Sequence, residues 1–245
     1  MAVSATGFSA GSVTALSGAQ SDRVSAALRR PVERLAQEAE STRVKLSAFG
    51  QAQSATAAVQ TASRTLQDAR QISSAADARR AAETFAQAFN AERAALASAS
   101  GNGAAGAAAV PEGARASIGA SQLERVVADN ATAFRDAGIR VQQDGSLTVD
   151  AKALEAAYAT NPSAVTQALG AVGRAAEATA TRQLGSNGSI GAAVNNLNTR
   201  LQQLETRQEN VRVRADESQR AVEASARRYG FGAVGAGAYL GIFGL

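Results

Sequence analysis

Between Ile190 and Tyr229 the chain places apolar or small residues at alternating steps of four and three. The stops are Ile190, Val194, Leu197, Leu201, Leu204, Gln208, Val211, Ala215, Ser218, Val222, Ser225 and Tyr229. A 4-3 step averages about 3.5 residues, which lays one narrow stripe along one side of a long helix. The stops through Leu204 are branched aliphatics, and the later ones are smaller or polar. Arg200, Glu205, Arg207, Glu209, Arg212, Arg214, Asp216 and Glu217 surround the stripe, as on a solvated outer face. No proline interrupts the run, and no glycine falls between Gly191 and Gly230. A helix of this kind cannot bury its stripe alone. The pattern therefore predicts a coiled-coil seam carried by Ile190, Val194, Leu197, Leu201, Leu204, Val211 and Val222.

The partner is expected upstream. A helix is predicted to begin near Asp22, with Pro31 at a restart or kink, and to run to about Ser73. Leu35, Ala39, Thr42, Leu46 and Phe49 form one stripe; after Gly50 the register shifts to Val59, Ala62, Leu66 and Ala69. Leu35, Leu46, Phe49, Val59 and Leu66 are the candidate seam residues on this side. Ser74 with Asp77 resembles a capping box, and the helix it opens carries Phe85, Phe89 and Leu96 on one face to about Ser98. Together these make residues 22–99 the N-terminal helices of a bundle. Residues 100–119 are rich in Gly, Ala and Ser around Pro111 and are expected to be a flexible linker.

Residues 120–183 form a small helical domain with a hairpin in it. Ser121 and Glu124 are expected to cap a helix carrying Leu123, Val126, Val127 and Phe134. Over 139–149, Ile139 and Val141 alternate with polar residues, as do Leu147 and Val149. Asp144-Gly145 between them is a strong short hairpin signal, on the expectation that both turn residues adopt positive φ. Asp150 is placed to cap a helix with Leu154 and Tyr158. Asn161 as N-cap and Pro162 at the first helical position open another, with Val165, Leu169 and Val172. A turn at 185–188 precedes the long helix, taken as 189–229. Two ends remain: an uncharged Ser/Ala/Gly/Thr-rich segment at 1–21, expected to be flexible, and an apolar glycine-rich tail at 230–245.

Composition narrows the chemistry. Aromatics are 4% of the chain, tryptophan is absent and alanine dominates. Alanine is the best helix former but buries little area, so long helices side by side suit this sequence better than a thick core. The fold class expected is mainly α: a long-helix coiled-coil bundle with a small β-hairpin. With no cysteine and no histidine, disulfides, thiol nucleophiles, cysteine metal sites and imidazole acid–base catalysis are excluded. Adjacent Asp216 and Glu217 point in different directions on a helix and form no dyad. No catalytic, cofactor-binding or metal-ligating residue is expected, and no small-molecule substrate.

Net charge is +4, and Lys45 and Lys152 are the only lysines. Arg29-Arg30, Arg79-Arg80 and Arg227-Arg228 lie far apart among acids, which reads as a solvated face and not a nucleic-acid surface. Gly230, Gly232 and Gly235 stand in G-x-G-x-x-G order, but no strand precedes them, so no nucleotide loop is expected. The start of the chain lacks the basic and apolar regions of a secretory signal. The tail falls short of the roughly 20 helical residues that a bilayer needs, and it is expected to pack on the bundle or a neighbouring subunit without membrane contact.

The order of the pieces resembles the flagellar filament cap protein family, also called hook-associated protein 2, in a shortened form. One stretch runs from Pro31-Val-Glu-Arg-Leu35 through Lys45-Leu-Ser-Ala-Phe-Gly50 to Val59-Gln60. A second is Glu83-Thr-Phe-Ala-Gln-Ala-Phe-Asn90. The third and most specific is Gly138-Ile139, then Asp144-Gly-Ser-Leu-Thr-Val-Asp150, Leu154 and Asn161-Pro162-Ser-Ala-Val165. Relatives insert large, mostly β domains where only Ser73 to Arg80 stand here, so those outer domains are missing. The glycine-rich tail after Tyr229 is a second departure from the family.

The resemblance implies a structural, self-associating component of the bacterial flagellum. It would support flagellin assembly at the filament tip or the hook–filament junction, with flagellin and hook-associated proteins as partners. It also implies an extracellular location reached without a cleaved signal peptide. The alternative is a cytoplasmic coiled-coil or amphipathic protein coating an intracellular surface, which leaves the hairpin unexplained.

Overall fold

The computed structural model describes residues 10–101 and 111–242, and the side-chain surroundings of 30–101, 112–221 and 224. Among the described residues the elements are α1 (Ala10–Gln67), α2 (Ala75–Ala99), α3 (Pro111–Asp129), α4 (Ala131–Asp136), β1 (Ile139–Val141), β2 (Leu147–Val149), α5 (Ala151–Thr160), α6 (Pro162–Leu184) and α7 (Ser189–Ile242). The protein is mainly α, with long helices and one two-stranded antiparallel sheet, as the hydrophobic pattern predicts.

The chain divides into two compact units. One comprises residues 1–41 and 200–245, and the other residues 42–199. The second holds a continuous core. Phe49, Ala52, Val59, Ala62 and Leu66 of α1 join Phe85, Phe89 and Leu96 of α2, Leu123 of α3, Phe134 of α4, Leu154 of α5, Leu169 and Val172 of α6, and Ile190 and Leu197 of α7. Phe85 anchors its aromatic part, with ring centroids 6.0 Å from Phe89 and 6.3 Å from Phe134. These tilted pairs add to what simple area burial contributes. In the first unit Ala39 and Leu204 are buried, while Leu35, Leu201 and Val211 are half-buried.

Local chemistry sets most of the boundaries. Ser74 Oγ accepts the Asp77 N–H at 3.1 Å and opens α2. Asp150 accepts from the Ala153 N–H at 3.0 Å, and Asn161 from the Ala164 N–H at 3.0 Å with Pro162 at the helix start. Each cap satisfies an amide that the helix itself leaves without a partner. α1 stops at Gln67, short of Ser73, because the Asp68 carboxylate takes the Arg70 N–H at 3.0 Å. Such a local bond competes with the helical one.

Four expectations are corrected. Helix α1 starts at Ala10, not near Asp22, and continues on both sides of Pro31. The uncharged stretch from Ala10 to Gln20 is made of Ala, Leu, Gln and small residues and contains no proline to stop a helix. The expected start of the flexible N-terminus, residues 1–9, lies outside the described residues. Helix α3 begins at Pro111 inside the expected linker, and Ser121 and Glu124 fall within it instead of capping it. Proline's fixed φ suits the first position of a helix. Residues 102–110 of that linker lie outside the described residues. Helix α7 does not end at Tyr229 but runs to Ile242, since glycine weakens a helix without ending it. Finally, Gly145 has φ +77°, but no non-glycine residue has positive φ among the described residues, so Asp144 does not. The strands pair Ile139 with Val149 and Val141 with Leu147, leaving a connection longer than the Asp-Gly pair. Within it, Gly145 N–H donates to Gln142 O at 2.9 Å and Gln142 N–H to Ser146 O at 2.8 Å. A connection of this length needs one left-handed residue, and glycine takes that position without a Cβ penalty.

Candidate self-association surface

The predicted seam residues separate into two groups. Phe49, Val59, Leu66, Ile190 and Leu197 are fully buried in the core of the 42–199 unit, with Leu46 and Val194 packed against it. These side chains are engaged inside the chain. Leu35, Leu201, Leu204 and Val211 belong to the other unit; Leu204 is buried and the rest half-buried. Along α7 from Leu201 to Ser218 the intermediate exposures fall on Leu201, Gln208, Val211, Ala215 and Ser218, which are stops of the 4-3 pattern, Leu204 is buried, and the other residues between them are exposed. Val213 departs from the stripe and is 45% exposed. The side chain of Val222 lies outside the described residues.

The hairpin is fastened to α2 by polar contacts that periodicity does not reveal. Asn90 donates from Nδ2 to Leu147 O at 2.9 Å and accepts the Leu147 N–H at Oδ1 at 2.8 Å. Its amide thus acts as a one-residue strand along the edge of β2. Arg93 caps the turn by donating to Asp144 O. The Asp144 carboxylate accepts from the Ser146 hydroxyl at 2.7 Å and its N–H at 2.9 Å. Those bonds, with Arg93 nearby, hold its carboxyl below the usual range. At the base of the hairpin Gly138 has φ +68°, and a Cβ there would lie 2.7 Å from Leu154 Cβ. Only glycine fits this crossing, which brings α5 against the start of β1.

Three other side-chain contacts tie α6 to α1. Arg64 Nε meets Glu177 Oε1 at 2.8 Å, and Gln67 Nε2 donates to Glu177 Oε2 at 2.8 Å. Arg64 and Gln67 together lower the Glu177 carboxyl. Gln60 donates to Thr181 Oγ1 at 2.8 Å. A Cβ at Gly173 would lie 2.6 Å from Ser63 O, so the two helices approach closely there. In the same core lies Glu92, a buried acid of α2 that amphipathic patterning missed; its Oε1 lies 2.9 Å from Thr56 Oγ1.

The described parts are packing surfaces: a helical unit with its own core, a hairpin stapled to α2, and a long helix whose 4-3 stripe is apolar at its first stops. Residues 76–227 match the family described as "Flagellar hook-associated protein 2 C-terminus". The match covers more than half of the chain, and the chain belongs to that family of cap-like structural proteins, extracellular components of the flagellum. It includes α2, the hairpin and the stripe of α7 up to Arg227. No curated protein and no solved structure gave a match. Among the described residues, no helix is long and apolar enough to cross a membrane.

Proposed function

We propose that the protein is a self-associating subunit of the bacterial flagellum that works at the filament tip or the hook–filament junction, where it supports flagellin assembly. The observation that carries this reading is the family match across 76–227, which includes most of the α7 stripe. Half-buried Leu201 and Val211 supply apolar surface that a second helix would cover. Copies of the chain, flagellin and hook-associated proteins are the partners this reading assigns. The chain leaves the cell through the flagellar export apparatus without a cleaved signal peptide.

The first test compares the culture medium of a flagellated host with that of an otherwise identical strain lacking flagellar export. Protein in the medium of the first strain alone supports the reading. Retention in the cytoplasm of both overturns it and favours the intracellular coating protein. The seam is tested separately by Leu201→Asp, which places a charge where an apolar stop belongs. The variant is expected to keep the helical content of the parent and to lose self-association in sedimentation. A variant that still assembles removes Leu201 from the seam.

A further inference from the structure

Glu112 and Glu92 are the buried carboxylates among the described residues, and of the two only Glu92 has no exposed surface. It sits on α2 facing α1, with none of its surface exposed, as does its contact Thr56. Its Oε1 lies 2.9 Å from Thr56 Oγ1, and its Oε2 is buried with no hydrogen-bond partner. Thr56 Oγ1 also lies 2.9 Å from Ala52 O. A hydroxyl carries one proton. If Thr56 donates it to Ala52 O, the bond to Glu92 requires the acid to be the donor, and hence to be neutral. If Thr56 donates to Glu92 instead, a charged carboxylate keeps a single neutral donor in an apolar core, which costs several kcal/mol.

Among the described residues no cation is hydrogen-bonded or ion-paired to Glu92. On α1 the charged residues nearest in sequence are Lys45 and Arg64, with none between them. On α2, Arg93 is turned to Asp144 O, while Arg79 lies near Glu83 and Glu155. α3 runs with its start by the end of α2, since a Cβ at Gly113 would meet Ser100 O. This places its Glu112 and Arg115 near that end, and Glu124 and Arg125 are exposed. On α6, Glu177 is held by Arg64 and Gln67, and Arg174 and Arg182 are exposed. Lys152 of α5 is exposed, Arg140 at β1 is paired with Asp150, and α7 has no charged residue from Ser189 to Thr199.

We propose that the Glu92–Thr56 pair is a proton-operated latch on the α1–α2 seam, closed while Glu92 is neutral and loosened when it ionises. Burial pushes the Glu92 carboxyl up to about 7, with the Thr56 hydroxyl a smaller opposing influence. Between the ordinary value of 4.5 and about 7 the folded chain holds a proton that the unfolded chain releases. Stability from this group is therefore full below about 4.5 and is lost as pH rises through 7. The latch thus gives the core unit a looser state on the alkaline side of neutrality.

The test is denaturant unfolding of the full chain from pH 4.5 to 8.5, beside Glu92→Gln, which keeps the shape without the titration. Relative to that variant, the folded-to-unfolded ratio of the parent is expected to fall by roughly a hundredfold across the range. Parallel profiles for the two proteins overturn the latch. Infrared spectroscopy gives a reading that needs no variant to fold. A buried carboxylic acid carbonyl band present at pH 6 and lost by pH 8.5 is expected of the parent. Its absence at pH 6 overturns the proposal. Thr56→Val removes the hydroxyl that Glu92 bonds, so the pH at which that band is lost is expected to move; an unchanged midpoint overturns the role of Thr56.

Discussion

At the scale of single residues, two acids of α2 titrate in opposite senses because their surroundings differ. Asp77 sits at the helix start, where the hydroxyls of Ser74 and Ser73, and then Arg80, hold its carboxyl down to about 2. Its stabilising effect is complete above the ordinary value of 3.8 and disappears as pH falls toward 2. Glu92, four turns further along, is pushed the other way by burial. Urea midpoints measured from pH 4 to pH 2 are expected to drop less steeply in Asp77→Asn than in the parent. Ser74→Ala removes the acceptor of the Asp77 N–H and is expected to lower stability by about 1 kcal/mol at neutral pH, read from the same midpoints.

At the scale of elements, contacts between helices and hairpin decide the fold. Asn90→Ala leaves the Leu147 N–H and C=O without their side-chain partner. A loss of about 1–3 kcal/mol is expected, and hydrogen exchange should speed up at Leu147 more than at α6 amides. Gly173→Ala puts a methyl 2.6 Å from Ser63 O, so α6 must move off α1. Overpacking of this sort costs about 1–3 kcal/mol, and a lower thermal midpoint with weaker Gln60–Thr181 coupling is the expected result. The sequence announces such elements unevenly. Caps at Ser74, Asp150 and Asn161 are legible because a short polar side chain before an apolar run has few other uses. The core stripes of α2 and α6 are legible from period alone. The start of α1 was hidden because an uncharged, alanine- and serine-rich segment has no periodic contrast. Asn90 and Glu92 were hidden for another reason: a polar residue on a helix reads as solvent-facing until the neighbour that buries it is known.

At the scale of the whole molecule, the stripe read from Ile190 to Tyr229 serves different purposes along its length. Its first stops, Ile190 and Leu197, are used up in the core of the 42–199 unit, and the later ones belong to the other unit. Sequence period shows that a helix has an apolar side; it says nothing about whether the chain itself or a second copy covers that side. The 42–199 unit is contiguous in sequence and has its own core, which is what independent folding requires. A fragment of residues 42–199 is therefore expected to unfold in one cooperative transition by circular dichroism. A gradual, non-cooperative loss of signal would mean that the unit depends on residues outside it.

The hairpin turn also governs how the protein ages. An Asp-Gly bond rearranges to isoaspartate when the glycine amide nitrogen attacks the neighbouring side-chain carboxyl, and it does so most readily when that carboxyl is protonated. In the folded turn the Gly145 N–H is held by Gln142 O, and the Asp144 carboxylate is occupied by Ser146 and kept ionised. Native packing shelters the nucleophile and deactivates the electrophile together. Chemical damage at Asp144 thus becomes a clock that runs chiefly while the hairpin is open, and isoaspartate at that position records the time a molecule has spent unfolded.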